Sequence, residues 1–357
     1  MEKFCRDMPK IELHAHLNGS VSEQTIEKLL KRRAATSSSS SEQHGEAVAT
    51  GCNIKPGNDL SLDDCFKKFS IIHQLCSDDE SVYIITKDVI QEFAADNVKY
   101  LELRTGPKCN STSNMTKSSY LKSVLQAIRD ATTVKTSEII VKLIISIDRA
   151  KPLQEAWENL QLAKQFRNFD VGREDMGDVI VGLDLSGHPS TTDVEKFIPV
   201  LQAARESSFK LTIHVSEIAG REDECRKLIS LRPHRLGHAT NLSTHPNQCI
   251  DIIQKILIQN IPLEICLTSN LMTSTIADLS SHHLQYWLDK KHQCIICTDD
   301  KGMFSTSLSK EFILASTTFN LSKEEVWSMS RNAVEHIFSS EHVKEQLRTM
   351  FATFICD

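Results

Sequence analysis

A chain of 357 residues with 40% hydrophobic and 25% charged residues has the composition of a globular protein, neither a disordered polymer nor a membrane-embedded one. Its net charge of −6, without a long basic run, argues against a nucleic-acid polymer as ligand, although a small anion could still meet local donors in a pocket. No apolar run reaches the length of a membrane helix, and MEKFCRDMPK lacks the apolar centre of a signal peptide, so no membrane association and a cytosolic setting are expected.

The eleven cysteines are odd in number and irregularly spaced, as free thiols in a reducing compartment would be. Cys294 and Cys297 form a C-x-x-C, but on a strand they face opposite sides, which speaks against a zinc or redox pair.

In chain order, Ile11 to Ser20 reads as an extended run with His14 and His16 on one face, where two imidazoles can converge on one metal ion. Ser20 and Glu23 have capping-box spacing, and Ile26, Leu29 and Leu30 continue a helix to Arg33. From about 34 to 59 the chain turns serine-rich and poor in large apolar residues, the composition of a flexible insertion within a single domain spanning 1–357. Helical patterns resume over 62–75 and 82–95, followed by a strand from Val98 to Arg104.

Beyond it, helix and strand alternate. Helical 119–132 leads to strand 138–148, helical 153–169 to strand 178–187, and helical 193–207 to strand 210–217. A short strand at 235–238 precedes helical 248–259, strand 263–269 and strand 293–299, and helices at 308–318 and 323–338 follow. Eight strands, several of them Val/Ile/Leu-rich, with mostly helical connections predict a closed (β/α)8 barrel of the TIM type. No G-x-G-x-x-G or G-x-x-x-x-G-K-[ST] accompanies any strand, which removes the usual reason for an open nucleotide-binding sheet.

Such barrels carry their chemistry at the carboxyl ends of the strands. In this chain those ends bear His14 and His16, Arg104 to Lys108, Asp148, Gly187, His214 with Glu217, His238, Ser269 with Asn270, and Asp299 with Asp300. One such residue could be a satisfied core group; eight strands that all end in polar chemistry imply one shared site. His14, His16 and His214 are the imidazoles best placed for a metal, and Asp299, on the strand that closes the ring beside the first, is the best carboxylate. Three imidazoles and a carboxylate suit one Zn2+ per chain, which lowers the pKa of a bound water and points to hydrolysis. Glu217, three residues past His214, suits a proton carrier, and His238 either orients or deprotonates the water.

Taken together, His14-x-His16, Ser186-Gly187, His214-Val215-Ser216-Glu217, Gly237-His238 and Cys297-Thr298-Asp299-Asp300 resemble the ordered motif set of the adenosine/AMP deaminase family, over about 9–339. The resemblance implies zinc on His14, His16, His214 and Asp299, with hydroxide attacking C6 of a purine. It further implies protonation of N1 by Glu217, positioning of the hydroxide by His238, and bonds from Asp300 to N7 and from the Gly187 N–H to N3.

Within that family the adenosine deaminase-like branch, which acts on N6-methyl-AMP, is the nearer likeness. HAHLNGS from His14, KDVIQEFAADNVKYLELRTGPK from Lys87, EICLTSN from Glu264 and CTDDKGMF from Cys297 carry it. Asn18 stands where adenosine deaminase itself has aspartate. An amide can donate to a 5′-phosphate that a carboxylate would repel, so the substitution favours a nucleotide. By the same resemblance His16, His73, Thr105, Gly106, Pro107, Lys108 and Asp148 line the substrate site, with Lys108 as a phosphate donor. His73 could equally be a helix-face residue beside Phe69 and Ile72. Ala239 and His188 depart from the family pattern, where glycine and an acidic residue are more usual.

The expected function is hydrolysis of an N6-alkylated AMP to IMP and an alkylamine by a monomeric zinc enzyme. The alternatives are deamination of the nucleoside, or a homologue that kept the barrel as a binding or growth-factor-like protein.

Overall fold

The computed structural model describes residues 1–36, 72–133, 138–172, 177–191, 193–244 and 246–354. Eight parallel strands form its centre: β1 (Lys10–His16), β2 (Val98–Thr105), β3 (Ile140–Asp148), β4 (Ile180–Ser186), β5 (Lys210–Val215), β6 (Arg235–His238), β7 (Leu263–Ile265) and β8 (Cys294–Ile296). They pair in chain order from β1 to β8. The ring closes just past β8, where Asp299 bridges Ala15, its N–H donating to the His14 carbonyl at 2.8 Å and its own carbonyl accepting from the His16 N–H at 3.0 Å. The expected TIM-type (β/α)8 barrel is therefore the fold.

The helices cover the strands with apolar faces of helical period. In Asp79–Ala95, Val82, Ile85, Val89, Ile90 and Phe93 are all buried, and they join one core with Leu101 and Leu103 of β2. Asp78 caps this helix by accepting from the Ser81 N–H at 2.8 Å, a contact of the kind that contributes about 1 kcal/mol.

The inside of the barrel is charged rather than aliphatic: Glu12, Glu102, Arg104, Asp184, Arg235 and Glu264 are fully buried there. Five of them pair, Arg235 with Glu102 and with Glu264, and Arg104 with Asp184 and Glu264, while Glu12 accepts hydrogen bonds from the His14 and Thr298 N–H groups and the Thr298 hydroxyl. The far end is plugged by Ala333 to Phe338. The Phe338 ring lies 3.5 Å from the Arg235 guanidinium, and its N–H donates to Glu102. Arg235 opens β6, so the plug closes the amino-terminal mouth and leaves the carboxyl ends open.

Several sequence expectations change. β7 stops at Ile265, and Leu267–Met272 is a helix, which places Ser269 and Asn270 on a helix rather than a strand. The run Leu-Glu-Ile-Cys-Leu-Thr alternates as a strand does, yet Leu267 and Leu271 also have helical spacing, and tertiary packing decides. β8 ends at Ile296, so Asp299 joins the sheet only through its bridge to Ala15. The first capping contact uses Ser22, whose hydroxyl accepts from the Thr25 N–H at 3.2 Å, while the Ser20 hydroxyl is buried without a partner among the described residues. Helix 323–338 ends at Asn332, with a 3-10 turn at Ala333–His336. The serine-rich insertion lies outside the described residues beyond 36, as does the helix expected at 62–75 apart from its last turn. Cys294 and Cys297 are buried free thiols.

Candidate active site

The carboxyl ends of the strands surround a cavity of about 300 Å³. His16, Asn18, His73, Thr105, Gly106, Pro107, Lys108, Asp148, Gly187, His214, Glu217, His238, Asp299 and Asp300 all line it. His14, fully buried, lies beneath its floor and reaches Asp299 Oδ1 with Nε2 at 3.3 Å. Every residue expected at the site is thus in one place.

Three of the strand-end residues, Ser216, His238 and Asp299, have positive φ of 53°, 60° and 58°. L-residues adopt this conformation at a cost, and it concentrates where side chains must be aimed. Two glycines are required by close approach rather than by turns. A Cβ on Gly19 would sit 1.6 Å from Asp300 Oδ1, and one on Gly187, at φ 97°, would sit 2.1 Å from Asp148 Oδ1.

The ligand atoms of His14, His16, His214 and Asp299 all fall within 4.8 Å of one another. Their surroundings fit a divalent cation. The Nδ1–H of His14 donates to Glu264 at 2.7 Å and that of His214 to Asp184 at 2.9 Å, which leaves both Nε2 lone pairs facing inward. Nε2 of His16 and Nε2 of His214 approach to 3.2 Å, and buried Nε2 of His14 has no hydrogen-bond partner among the described residues. Imidazole nitrogens turned towards each other need a shared cation or a proton between them. Ser269 Oγ donates to Asp299 Oδ2 at 2.7 Å and holds that carboxylate in place.

Around this cluster stand groups suited to proton chemistry. His238 Nε2 lies 3.8 Å from Glu217 Oε2 and 3.8 Å from Asp299 Oδ2. Burial lowers the pKa of His238 to about 4, so the ring is neutral at physiological pH. Asp300 goes the other way: burial, then the charges of Asp299 and Glu217, raise its pKa well above the ordinary carboxylate range. A carboxyl that keeps its proton can donate to a ring nitrogen.

Lys108 Nζ is buried with no hydrogen-bond partner among the described residues. Burial lowers its pKa to about 8, and Lys151 adds to the effect. Close by, the Thr105 and Tyr120 hydroxyls bond at 2.7 Å, and Tyr120 touches the Asn18 side chain. Sequence reasoning missed Lys151, Tyr120, Asp184 and Glu264. Lys151 lies three residues past Asp148, so the end of β3 could have suggested it. The buried carboxylates sit within strands and gave no signal.

The chain belongs to the adenosine deaminase family, hydrolytic deaminases that cleave a C–N bond: the family model described as Adenosine deaminase matches residues 9–353. Among curated relatives, N6-Methyl-AMP deaminase of Danio rerio is 40% identical over 349 residues, covering 98% of this chain and 96% of the relative. N6-Methyl-AMP deaminase of Homo sapiens is 38% identical over 345 residues, covering 97% and 93%. The crystal structure of Arabidopsis N6-mAMP deaminase superposes with a TM-score of 0.86 at 37% identity, covering 99% of this chain and 100% of that one. Arabidopsis ADAL complexed with IMP superposes with a TM-score of 0.85 at 36% identity, covering 99% and 98%. Among the described residues, no helix is long and apolar enough to cross a membrane.

Proposed function

We propose that this chain hydrolyses the C6–N bond of N6-methyl-AMP and related N6-alkyl-AMPs, giving IMP and the alkylamine, as a cytosolic monomer holding one Zn2+. The deaminase part rests on family membership, and the nucleotide part on one observation. The Lys108 ammonium, buried and unpartnered among the described residues, lines the same cavity as the metal-ligand cluster. A buried lone cation is costly, and an anionic ligand group relieves that cost. The names of the relatives and the IMP complex agree with this reading.

His14, His16, His214 and Asp299 would hold the ion. When bound, zinc supplies the Lewis acidity that brings a water towards its hydroxide form near neutral pH. The remaining work falls to side chains. The attacking oxygen forms its bond to C6, the C6–N1 π pair moves onto N1, and Glu217 delivers a proton there. Protonated Asp300 donates to N7 and the Gly187 N–H to N3, which fixes the purine plane. His238 faces the oxygen from the side. The remaining hydroxyl proton passes to the exocyclic nitrogen as the C6–N bond breaks, so the adduct collapses to the C6 carbonyl, keeps its N1 proton and releases the neutral amine. At the sugar end, Asn18 and Lys108 donate to the 5′-phosphate, beside His73 and the Thr105–Gly106–Pro107 segment, while Asp148 lies along the ribose.

The test is a product assay on AMP, N6-methyl-AMP and their two nucleosides. N6-methyl-AMP should have the highest kcat/KM, exceeding its nucleoside by roughly a hundredfold, the worth of one or two charge-assisted bonds. Equal turnover of N6-methyladenosine and its monophosphate would refute the nucleotide part. Preference for adenosine would favour the nucleoside alternative.

A further inference from the structure

Two buried residues behind His238, Asn270 and His282, each 2% exposed, connect its ring to a fixed backbone donor. The Leu284 N–H donates to His282 Nδ1 at 3.0 Å, His282 Nε2 meets Asn270 Oδ1 at 3.1 Å, and Asn270 Nδ2 meets His238 Nδ1 at 3.3 Å.

This chain can be read in one direction only. A peptide N–H always donates, so His282 Nδ1 accepts, and a neutral His282 carries its proton on Nε2. Burial keeps that ring neutral, with its pKa lowered to about 3. The His282 Nε2–H therefore needs an acceptor, which must be the Asn270 carbonyl oxygen. Turning the amide over would set N–H against NH2. The Asn270 NH2 then faces His238, and because an amide NH2 only donates, His238 Nδ1 must be an unprotonated acceptor. The ring proton is left on Nε2, the nitrogen 3.8 Å from both Glu217 and Asp299. A second contact holds the backbone. His283, stacked on His282 at 4.2 Å, donates from Nε2 to the His238 carbonyl at 2.8 Å and secures that residue at its φ of 60°.

We infer that Asn270 is a positioning residue: oriented by His282, it holds His238 in the Nε2–H tautomer, so that His238 donates a hydrogen bond to the attacking oxygen and does not take its proton. The proton shed by the attacking water passes to the Glu217 carboxylate, which carries it to N1. What His238 does rests on the hydrolytic reading above; which nitrogen bears its proton does not.

The experiment uses full-length protein loaded with a diamagnetic divalent ion, 15N-labelled at histidine and free of substrate. The His238 signals are identified as those lost in His238→Gln. Between about pH 6 and 9 they should show Nε2 protonated and Nδ1 bare. A neutral ring protonated at Nδ1, or an imidazolium, would overturn the assignment. In Asn270→Asp the carboxylate still accepts from His282 but now presents an acceptor to Nδ1. The His238 proton should move to Nδ1, and kcat should fall by roughly a hundredfold or more while KM stays within a few-fold. Asn270→Asp with unchanged kcat would overturn the positioning role. Should that variant fail to fold, the unsubstituted protein's spectrum still decides the tautomer. Absence of amine release from any purine nucleotide would sink the hydrolytic reading while leaving the spectrum to judge the tautomer.

Discussion

The Nδ1–H of His14 donates to Oε2 of Glu264 at 2.7 Å, and both side chains are wholly shielded from solvent. Glu264 also receives Arg104 at 3.0 Å and Arg235 at 2.6 Å, so one carboxylate aims a metal-facing imidazole and pairs with two buried guanidinium groups, which Asp184 and Glu102 also meet. Glu264→Gln keeps the shape and removes the charge. Metal affinity should fall by about 10–100-fold, the usual cost of losing a partner behind a ligand. Stability should drop by about 3–5 kcal/mol because Arg104 and Arg235 lose a counterion. Chelator competition and denaturant unfolding measure the two; unchanged metal affinity would mean that Glu264 serves only the barrel interior.

Glu217 stands apart from the four-ligand cluster, with Oε2 3.8 Å from His238 Nε2. Glu217→Gln should therefore retain a stoichiometric metal and a near-normal melting temperature, yet lose roughly 10²–10⁴-fold in kcat as the proton carrier is removed. Metal analysis beside steady-state kinetics separates these effects. An active variant would refute the assignment.

These two residues show what the sequence could and could not convey. Glu217 was legible because it follows His214 by three positions at a strand end, where a purely structural chain needs no carboxylate. His14, His16, His214 and Asp299 were legible for the same reason, since a period of two and the closure of a barrel bring strand ends together. Glu264 was not. Its partners His14, Arg104 and Arg235 lie 250, 160 and 29 residues away, and only the stagger between strands brings them into contact. Asn270 was legible as a polar strand end, but its link to His282 was not, because it sits on a helical turn in a run whose alternation reads as strand.

Asn18 lines the cavity, its amide touching the Tyr120 hydroxyl while its buried side-chain oxygen has no hydrogen-bond partner among the described residues. Asn18→Asp replaces a donor with a negative charge at the same volume. KM for N6-methyl-AMP should rise by roughly 10–100-fold, the loss of a bond to a charged group of about 1.5–3 kcal/mol, while KM for the nucleoside moves little. Equal effects on both substrates would count against a phosphate contact.

Lys108 gives the nucleotide reading a pH signature. Burial lowers its pKa to about 8, so its ammonium is charged below that pH and neutral above it. A 5′-phosphate, whose second pKa is near 6, is already dianionic there and adds no transition of its own. For N6-methyl-AMP, kcat/KM should therefore decline as pH rises through about 8. For the nucleoside it should stay level over the same span. Lys108→Met should lower the nucleotide value below pH 8 and abolish the decline. A decline of equal size for both substrates, or one that persists in Lys108→Met, would assign the titration to the chemistry at C6 and remove Lys108 from the phosphate site.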